Sequence, residues 1–417
     1  MASFSFGSGN AAKLLRLPLY AVGRMGTLLV PRGRRWVFGC GAGIGDGALA
    51  LWRVARAEGH DVMWLTSSDR ERADAAALGI ASISKLSLRG WWATARAGVL
   101  VVTHGLGDVN RYGVSGGFVV QLWHGIPLKR IGLDSPATTQ VPNVPGATIL
   151  RRLIAVMYRG AAQRIRVLPA ASARSRGRLE SAFALGDGRV VVTGEPRVDV
   201  LSQGSDQQRR DAASALLTEE TGTIPKGARR VLYAPTWRDG AADPSVPTAE
   251  DWVRLIALLE KQNTVLFVRS HPLGAGEYQP PLPSGRVRML GSDVLADVTP
   301  ALAGMDVLIT DYSSLAYDVG LLGMPVLYLA PDAEGYARTR GFYGRYRDVA
   351  GSDVAKDWST LNAQLATLLS DEQAFNERSA QSTTLSAQVH AYRDGQNTRR
   401  VYEVIRARGI PAPKGAR

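Results

Sequence analysis

Short apolar runs alternate with amphipathic stretches along most of this chain. Runs at 35–38, 61–65, 99–103, 118–122 and 165–168 read as strands. A second series lies at 190–193, 230–234, 264–268, 287–290, 307–310 and 325–329, with helical periodicity at 48–57, 207–218, 251–261 and 314–322. Strands separated by helices predict βα units and a parallel sheet. Two such series, joined near 195–210, predict an α/β protein with two Rossmann-like lobes. Ligands of open parallel sheets lie beyond the carboxyl ends of the strands, so a cleft between the lobes is the expected site. The expected organisation is a basic-apolar arm at 1–34, a first lobe at 35–200 facing acceptor and membrane, a donor lobe at 201–385, and a C-terminal helix and tail at 386–417. The polar stretch 372–408 either packs on the outside or crosses back to the first lobe.

Composition narrows this picture. At roughly 150 residues per domain, 417 residues suit two or three domains or one two-lobed unit. An apolar fraction of 45% excludes disorder as the main state, and a single cysteine, Cys40, excludes a disulfide scaffold. The net charge of +13 favours an anionic partner: nucleic acid, an acidic membrane surface or a phosphorylated substrate. No apolar run approaches the roughly 18–20 residues of a spanning helix. The N-terminus lacks the compact basic start and clean apolar centre of a secretory signal, so a cytoplasmic location is expected. Segment 146–166 interleaves Arg151, Arg152, Arg159, Arg164 and Arg166 with Ile149, Leu150, Leu153, Ile154, Val156 and Met157, without an acid. It reads as a basic amphipathic helix that attaches to an anionic leaflet, or as an ordinary helix with a solvated basic face. Aromatic residues do not interleave with the basic patches in a nucleic-acid pattern, and no nucleic-acid partner is expected.

Candidate chemistry lies at the ends of predicted strands. Trp123, His124, Gly125, Ile126 and Pro127 follow the strand at 118–122; a histidine there suits a general base near neutral pH, though a lone histidine is more often structural. Arg269, Ser270 and His271 end the strand at 264–268, where a planar guanidinium suits phosphate oxygens. Ser313 and Ser314 stand at the start of the predicted helix 314–322, an anion-binding arrangement or plain capping. Pro235, Thr236 and Arg238 follow the strand at 230–234, and Arg197 lies near the lobe junction. The glycine turn Gly43-Ile44-Gly45-Asp46-Gly47-Ala48 fits only a loose dinucleotide pattern. Gly113-Val114-Ser115-Gly116-Gly117 precedes a strand rather than a helix and reads as a turn, not a nucleophile elbow. No histidine or cysteine cluster has zinc spacing, no metal site is expected, and no cofactor is called for.

In order, the segments QLWHGIPLK, GEPRVD, YAPTWRD, RSHP, TDYSSLAYD and RGFY resemble the CDP-glycerol glycerophosphotransferases of teichoic acid synthesis, over about residues 35–345. The length resembles the short, primase-like members. Ile126 stands where that family often has Thr, and Val198 where it often has Asn. The resemblance implies a GT-B fold with donor between the lobes. It implies transfer of glycerol phosphate from CDP-glycerol to a hydroxyl of a lipid-linked saccharide or polyol-phosphate acceptor, releasing CMP, at the cytoplasmic face of the membrane. It also implies donor contacts from Trp123 to Pro127, Arg197, Pro235, Thr236, Arg269 to His271, Ser313, Ser314 and Asp318; Arg238 is a further candidate contact, and His124 as general base and His271 beside the pyrophosphate are the expected catalytic groups. Alternatives are a ribitol-phosphate or capsular phosphate-polymer transferase of the same fold, or a non-catalytic membrane- or nucleotide-binding protein.

Overall fold

The structure is a computed structural model that describes residues 17–141, 145–186, 188–236, 238, 243–270 and 278–410. The chain divides into two compact units: Met1–Asp199 with Asp394–Arg417, and Val200–Arg393.

The first unit is built on seven parallel strands: β1 (Trp36–Phe38), β2 (Val62–Thr66), β3 (Ser82–Ser84), β4 (Val99–Val102), β5 (Phe118–Gln121), β6 (Ile165–Ala170) and β7 (Val190–Val192). Their order in the sheet is β3-β2-β1-β4-β5-β6-β7. β1 and β4 are buried throughout, as strands must be when both faces carry helices. The pleat sorts their side chains. Val37, Leu100, Val102 and Leu168 face one core, with Tyr158 and Phe183 from helices Ala147–Ala162 and Ala173–Phe183. Trp36, Phe38, Val99, Val101 and Val167 face the other. Onto that second face pack helix Asp46–Ala57, through Ala48, Leu51, Trp52 and Ala55, and the C-terminal helix Asn397–Ala407, through Val401, Tyr402 and Ile405. The spacing i, i+3, i+4, i+7 in helix Asp46–Ala57 makes one apolar stripe. A buried side chain of the size of Leu51 contributes about 1.5–3 kcal/mol, an alanine less. The carboxyl end of the chain thus returns to the first unit, and Asp199 fastens it: its carboxylate accepts the amides of Asn397 (2.9 Å) and Thr398 (2.7 Å).

The second unit has five parallel strands: β8 (Arg229–Ala234), β9 (Thr264–Val268), β10 (Val287–Met289), β11 (Val307–Thr310) and β12 (Val326–Tyr328), in the order β10-β9-β8-β11-β12. Helices Ala249–Lys261 and Trp358–Ser370 bury Trp252, Leu255, Trp358, Leu361 and Leu365 against Val231, Tyr233, Leu266, Val268 and Ile309.

In both sheets the chain winds outward one way from the first strand and then reverses, between β1 and β4 and between β8 and β11. Reversal leaves a crevice at the carboxyl ends of those strands. The loops after β5, β8, β9 and β11 carry most of the residues singled out from the sequence.

Two expectations are corrected. Helix 146–166 ends at Ala162; Arg166 lies in β6, and Arg164 is half-buried and donates to Ser115 Oγ (3.4 Å), leaving three of the five arginines on the helix. The helix expected over 314–322 is a four-residue α-turn, Leu315–Asp318, followed by the 3₁₀ turn Val319–Leu322. Gly320 lies so close to helix Glu372–Ala387 that a Cβ there would sit 2.3 Å from the Ser382 carbonyl oxygen.

Candidate active site

In the first unit the site grows from the ends of β4 and β5. β4 delivers Thr103 and His104, and a 3₁₀ turn, Leu106–Asp108, folds back beneath them. Asp108 Oδ2 accepts the amides of His104 (2.7 Å), Thr103 (2.9 Å) and Gly105 (3.3 Å). Burial pushes the Asp108 carboxyl up, against these donors. The Thr103 hydroxyl lies 2.8 Å from His104 Nδ1, 3.1 Å from Cys40 Sγ and 3.3 Å from Asp108 Oδ2. Burial also raises the Cys40 thiol, keeping it neutral. A Cβ on Gly41 would fall 2.7 Å from His104 Cγ, so only glycine lets the β1 loop run this close.

β5 delivers the second half. Gln121 donates to the Thr103 carbonyl (2.7 Å), tying the two strand ends together. Trp123 has φ +64°, a left-handed conformation uncommon for a large side chain. Its indole is anchored edge-on against Phe183, with centroids 5.1 Å apart at 82°. His124 is thereby flanked by two rings. His104 is parallel to it at 4.3 Å and 6°, and Trp123 is tilted by 36° at 4.2 Å. His124 is half-buried; its Nδ1 is enclosed and makes no hydrogen bond of ordinary geometry among the described residues. Burial lowers its pKa well below the usual imidazole range, with His104, Arg197 and Lys129 adding to the effect and the Thr103 backbone opposing it. Burial brings His104 down to about 4. Both rings are neutral at pH 7, so His124 stands in its proton-accepting form. Gly125 (φ +140°), Ile126 and Pro127 complete the loop, all three buried, and the Pro127 carbonyl accepts from Arg178.

Arg197 follows β7. Its Nε and Nη2 both lie 2.9 Å from Glu195 Oε2, and both side chains are buried. Its charge is locally balanced, yet close enough to His124 to disfavour a second positive charge there.

In the second unit Pro235 and Thr236 follow β8, and Asp311 follows β11. Asp311 Oδ1 accepts the Thr236 amide (2.9 Å), while Thr310 Oγ1 donates to the Ala234 carbonyl (2.7 Å). Ser313 Oγ accepts the Leu315 amide (3.2 Å), whereas the Ser314 side chain makes no capping bond. Ser270 is buried, and its hydroxyl lacks a partner among the described residues. His271 lies outside the described residues.

Three of the expected donor contacts also have partners within the protein. Arg238, 5% exposed, donates to Asp332 and Asp311 and to the Thr236 carbonyl, and it packs on the faces of Tyr312 and Tyr336. Its fork is engaged by protein acceptors and braces the β8 loop. Arg269 donates to the carbonyls of Leu290 (3.0 Å), Leu295 (2.8 Å) and Ala296 (3.0 Å), which makes it the pin of the 290–296 loop. Asp318 is 1% exposed and faces His390 Nε2 at 3.7 Å; it is a packed carboxylate. The short α-turn after Ser314 also weakens the dipole expected to attract an anion there.

Sequence reasoning passed over His104 and Asp108. A signal was present: Thr103-His104-Gly105 after β4 repeats the His-Gly pattern of Trp123-His124-Gly125 after β5. Among the described residues no group of three or more His, Cys, Asp or Glu side chains is placed to hold a metal.

The first unit also carries an exposed apolar and basic surface. Helix Ala147–Ala162 exposes Ile149, Leu153 and Val156 among Arg151, Arg152 and Arg159. Helix Leu17–Leu29 exposes Leu19, Val22, Met25, Leu28 and Leu29. No helix among the described residues is long and apolar enough to cross a membrane.

Residues 39–407 match the family described as CDP-glycerol:poly(glycerophosphate) glycerophosphotransferase. A teichoic acid glycerol-phosphate transferase of Staphylococcus aureus (strain NCTC 8325 / PS 47) is 27% identical over 69% of this chain and 70% of its own length. The teichoic acid ribitol-phosphate polymerase TarL of the same strain is 31% identical over 43% of this chain, but only 32% of its own length is covered. A solved structure of the wall teichoic acid polymerase TagF superposes with a TM-score of 0.75 at 22% identity, covering 95% of both chains. That likeness, with the two parallel sheets, shows the GT-B fold of two Rossmann-like units.

Proposed function

Because the chain belongs to the CDP-glycerol:poly(glycerophosphate) glycerophosphotransferase family, we propose that it transfers glycerol phosphate from CDP-glycerol to a hydroxyl of a lipid-linked or polymer acceptor, releasing CMP. An acceptor oxygen attacks the β-phosphorus, the bond from that phosphorus to the CMP oxygen breaks, and the acceptor proton passes to a base. Such transfers depend mainly on positioning and charge stabilisation. His124 is the proposed base. Its neutral ring accepts the proton, and the anionic pyrophosphate of a bound donor then favours the charged imidazolium. Trp123, Gly125, Ile126, Pro127 and Arg197 surround it; Pro235, Thr236, Ser270, His271, Ser313 and Ser314 are the proposed donor contacts of the second unit. Arg238, Arg269 and Asp318 are further proposed donor contacts, the two arginines also bracing those loops.

The observation that carries this reading is the environment of His124: an uncharged imidazole, partly open, held at a strand end beside the topological reversal of its sheet. A ribitol-phosphate donor is the second reading, favoured by the likeness to TarL. The exposed apolar and arginine-bearing helices of the first unit support peripheral attachment to an anionic membrane at its cytoplasmic face, where a lipid-linked acceptor would be met.

The deciding experiment is a donor screen with CDP-glycerol and CDP-ribitol, each with a lipid-linked saccharide acceptor, following CMP release. Release with CDP-glycerol that depends on acceptor is expected. Turnover with CDP-ribitol alone would replace the donor; no turnover with either would replace the function.

A further inference from the structure

The loops that follow the adjacent parallel strands β4 and β5 each carry histidine then glycine, His104-Gly105 and His124-Gly125, and the two imidazoles meet face to face. Their centroids are 4.3 Å apart and their planes differ by 6°. We propose that His104 is a positioning residue for His124: it serves as a flat, uncharged plate that holds the second imidazole in the plane its proton transfer requires. The inference rests on His124 being the base.

His104 is itself held on several sides. Its amide is bonded to Asp108 Oδ2 at 2.7 Å, and its Nδ1 is paired with Thr103 Oγ1 at 2.8 Å. The Thr103 hydroxyl has one proton and lies within reach of Asp108 Oδ2 and Cys40 Sγ. Once that proton goes to either, the hydroxyl accepts from Nδ1–H of His104, which sets the tautomer. Gly41 leaves no space for the ring to retreat, since a side chain at that position would overlap it. Across His124, Trp123 is fixed edge-on to Phe183. The His124 ring has the Thr103 backbone as a hydrogen-bonding partner, and the rings on either side of it fix its plane. Histidine bases are usually steered by a hydrogen bond to the second ring nitrogen; here stacking adds a second constraint. The stack also demands neutrality, because two imidazolium rings at this distance would repel strongly. The charged and titratable groups bearing on His124 are His104 from the β4 loop, Arg197 from the segment after β7, and Lys129 from its own loop.

The test uses His104→Ala and His104→Phe in the full chain. The alanine variant is expected to lose roughly 10- to 100-fold in kcat, the scale of a small misplacement of a reacting group, with KM for CDP-glycerol within about two-fold. Water replaces the ring beside His124, so its pKa rises and the acid limb of kcat moves to higher pH. The phenylalanine variant keeps a flat face without a proton and is expected to restore most of kcat and the original limb. Wild-type kcat and an unmoved limb in the alanine variant overturn the proposal; so does a phenylalanine variant as impaired as the alanine one. If the alanine variant does not fold, His104→Leu takes its place with the same expectation for kcat. NMR titration of the His124 ring without substrate separates this inference from the base assignment. The titration should shift upward in His104→Ala and not in His104→Phe, whatever the turnover of His124→Ala. No shift in His104→Ala overturns the positioning role.

Discussion

Arg238 and Asp332 form a two-point ion pair, Nε to Oδ2 and Nη2 to Oδ1, both at 2.9 Å. Asp311 takes a third bond from the same guanidinium at 2.8 Å and receives the Thr236 amide on its other oxygen. The loops after β8 and β11 are thus coupled through one buried cation. Removing one partner of a buried pair leaves the other charge uncompensated, at a cost of about 3–5 kcal/mol. Arg238→Ala should lower unfolding stability in urea by that amount. Arg238→Lys should recover only part of it, because an ammonium lacks the planar fork. An alanine variant within 1 kcal/mol of the parent would show that the coupling is unimportant.

His124→Ala removes the proposed base and leaves the second unit untouched. General-base help is typically worth about 10²–10⁴ in rate. Turnover should fall by that factor, while CDP-glycerol binding measured by calorimetry survives. Parental turnover in this variant would return His124 to a structural role.

The C-terminal helix should loosen on acidification. His60 Nε2 lies 3.0 Å from Tyr402 Oη, and its ring packs on Trp36 with centroids 4.7 Å apart. Burial lowers the His60 pKa, with Arg406 adding to the effect. A histidine whose folded pKa is depressed contributes stability that is present above its unfolded value of about 6.5 and is lost as pH falls through the folded value. His104 and His124 act with the same sign. Buried Asp108, Asp199 and Asp311, whose pKa values burial raises, act with the opposite one. The informative quantity is therefore a difference between proteins: between pH 7.5 and 5 the parent should lose more stability than His60→Phe. Equal losses would remove His60 from the account.

Membrane attachment should depend on charge at helix Ala147–Ala162. Each cation near an anionic leaflet contributes about 1 kcal/mol. Replacing Arg151, Arg152 and Arg159 together with Gln should weaken binding to anionic vesicles on the order of a hundredfold, with no effect on neutral ones. Unchanged flotation would withdraw the surface from membrane binding.

Much of the scaffold was legible because parallel strands buried on both faces must be written as unbroken apolar runs. Val99–Val102 and Val307–Thr310 can hardly be read otherwise. Ser82–Ser84 escaped for the opposite reason: an edge strand of three residues, two of them serine, carries no apolar run. The candidate loops were legible as chemistry at strand ends, but the task of each arginine was not. The protein acceptors of Arg238 and Arg269, at 311, 332, 290, 295 and 296, were not legible because they are distant along the chain. The helix expected at 314–322 failed in the same way, since the close approach at Gly320 comes from a segment some sixty residues later.

Local chemistry and order along the chain carry two βα series, the family resemblance and a histidine in a strand-end loop. Partnership belongs to the folded arrangement alone. Parallel pairing sets β4 beside β5, and that adjacency turns two separate His-Gly turns into one stacked pair. Contact energies depend on distance in space, and the nineteen residues between His104 and His124 say nothing about the few ångströms between their rings.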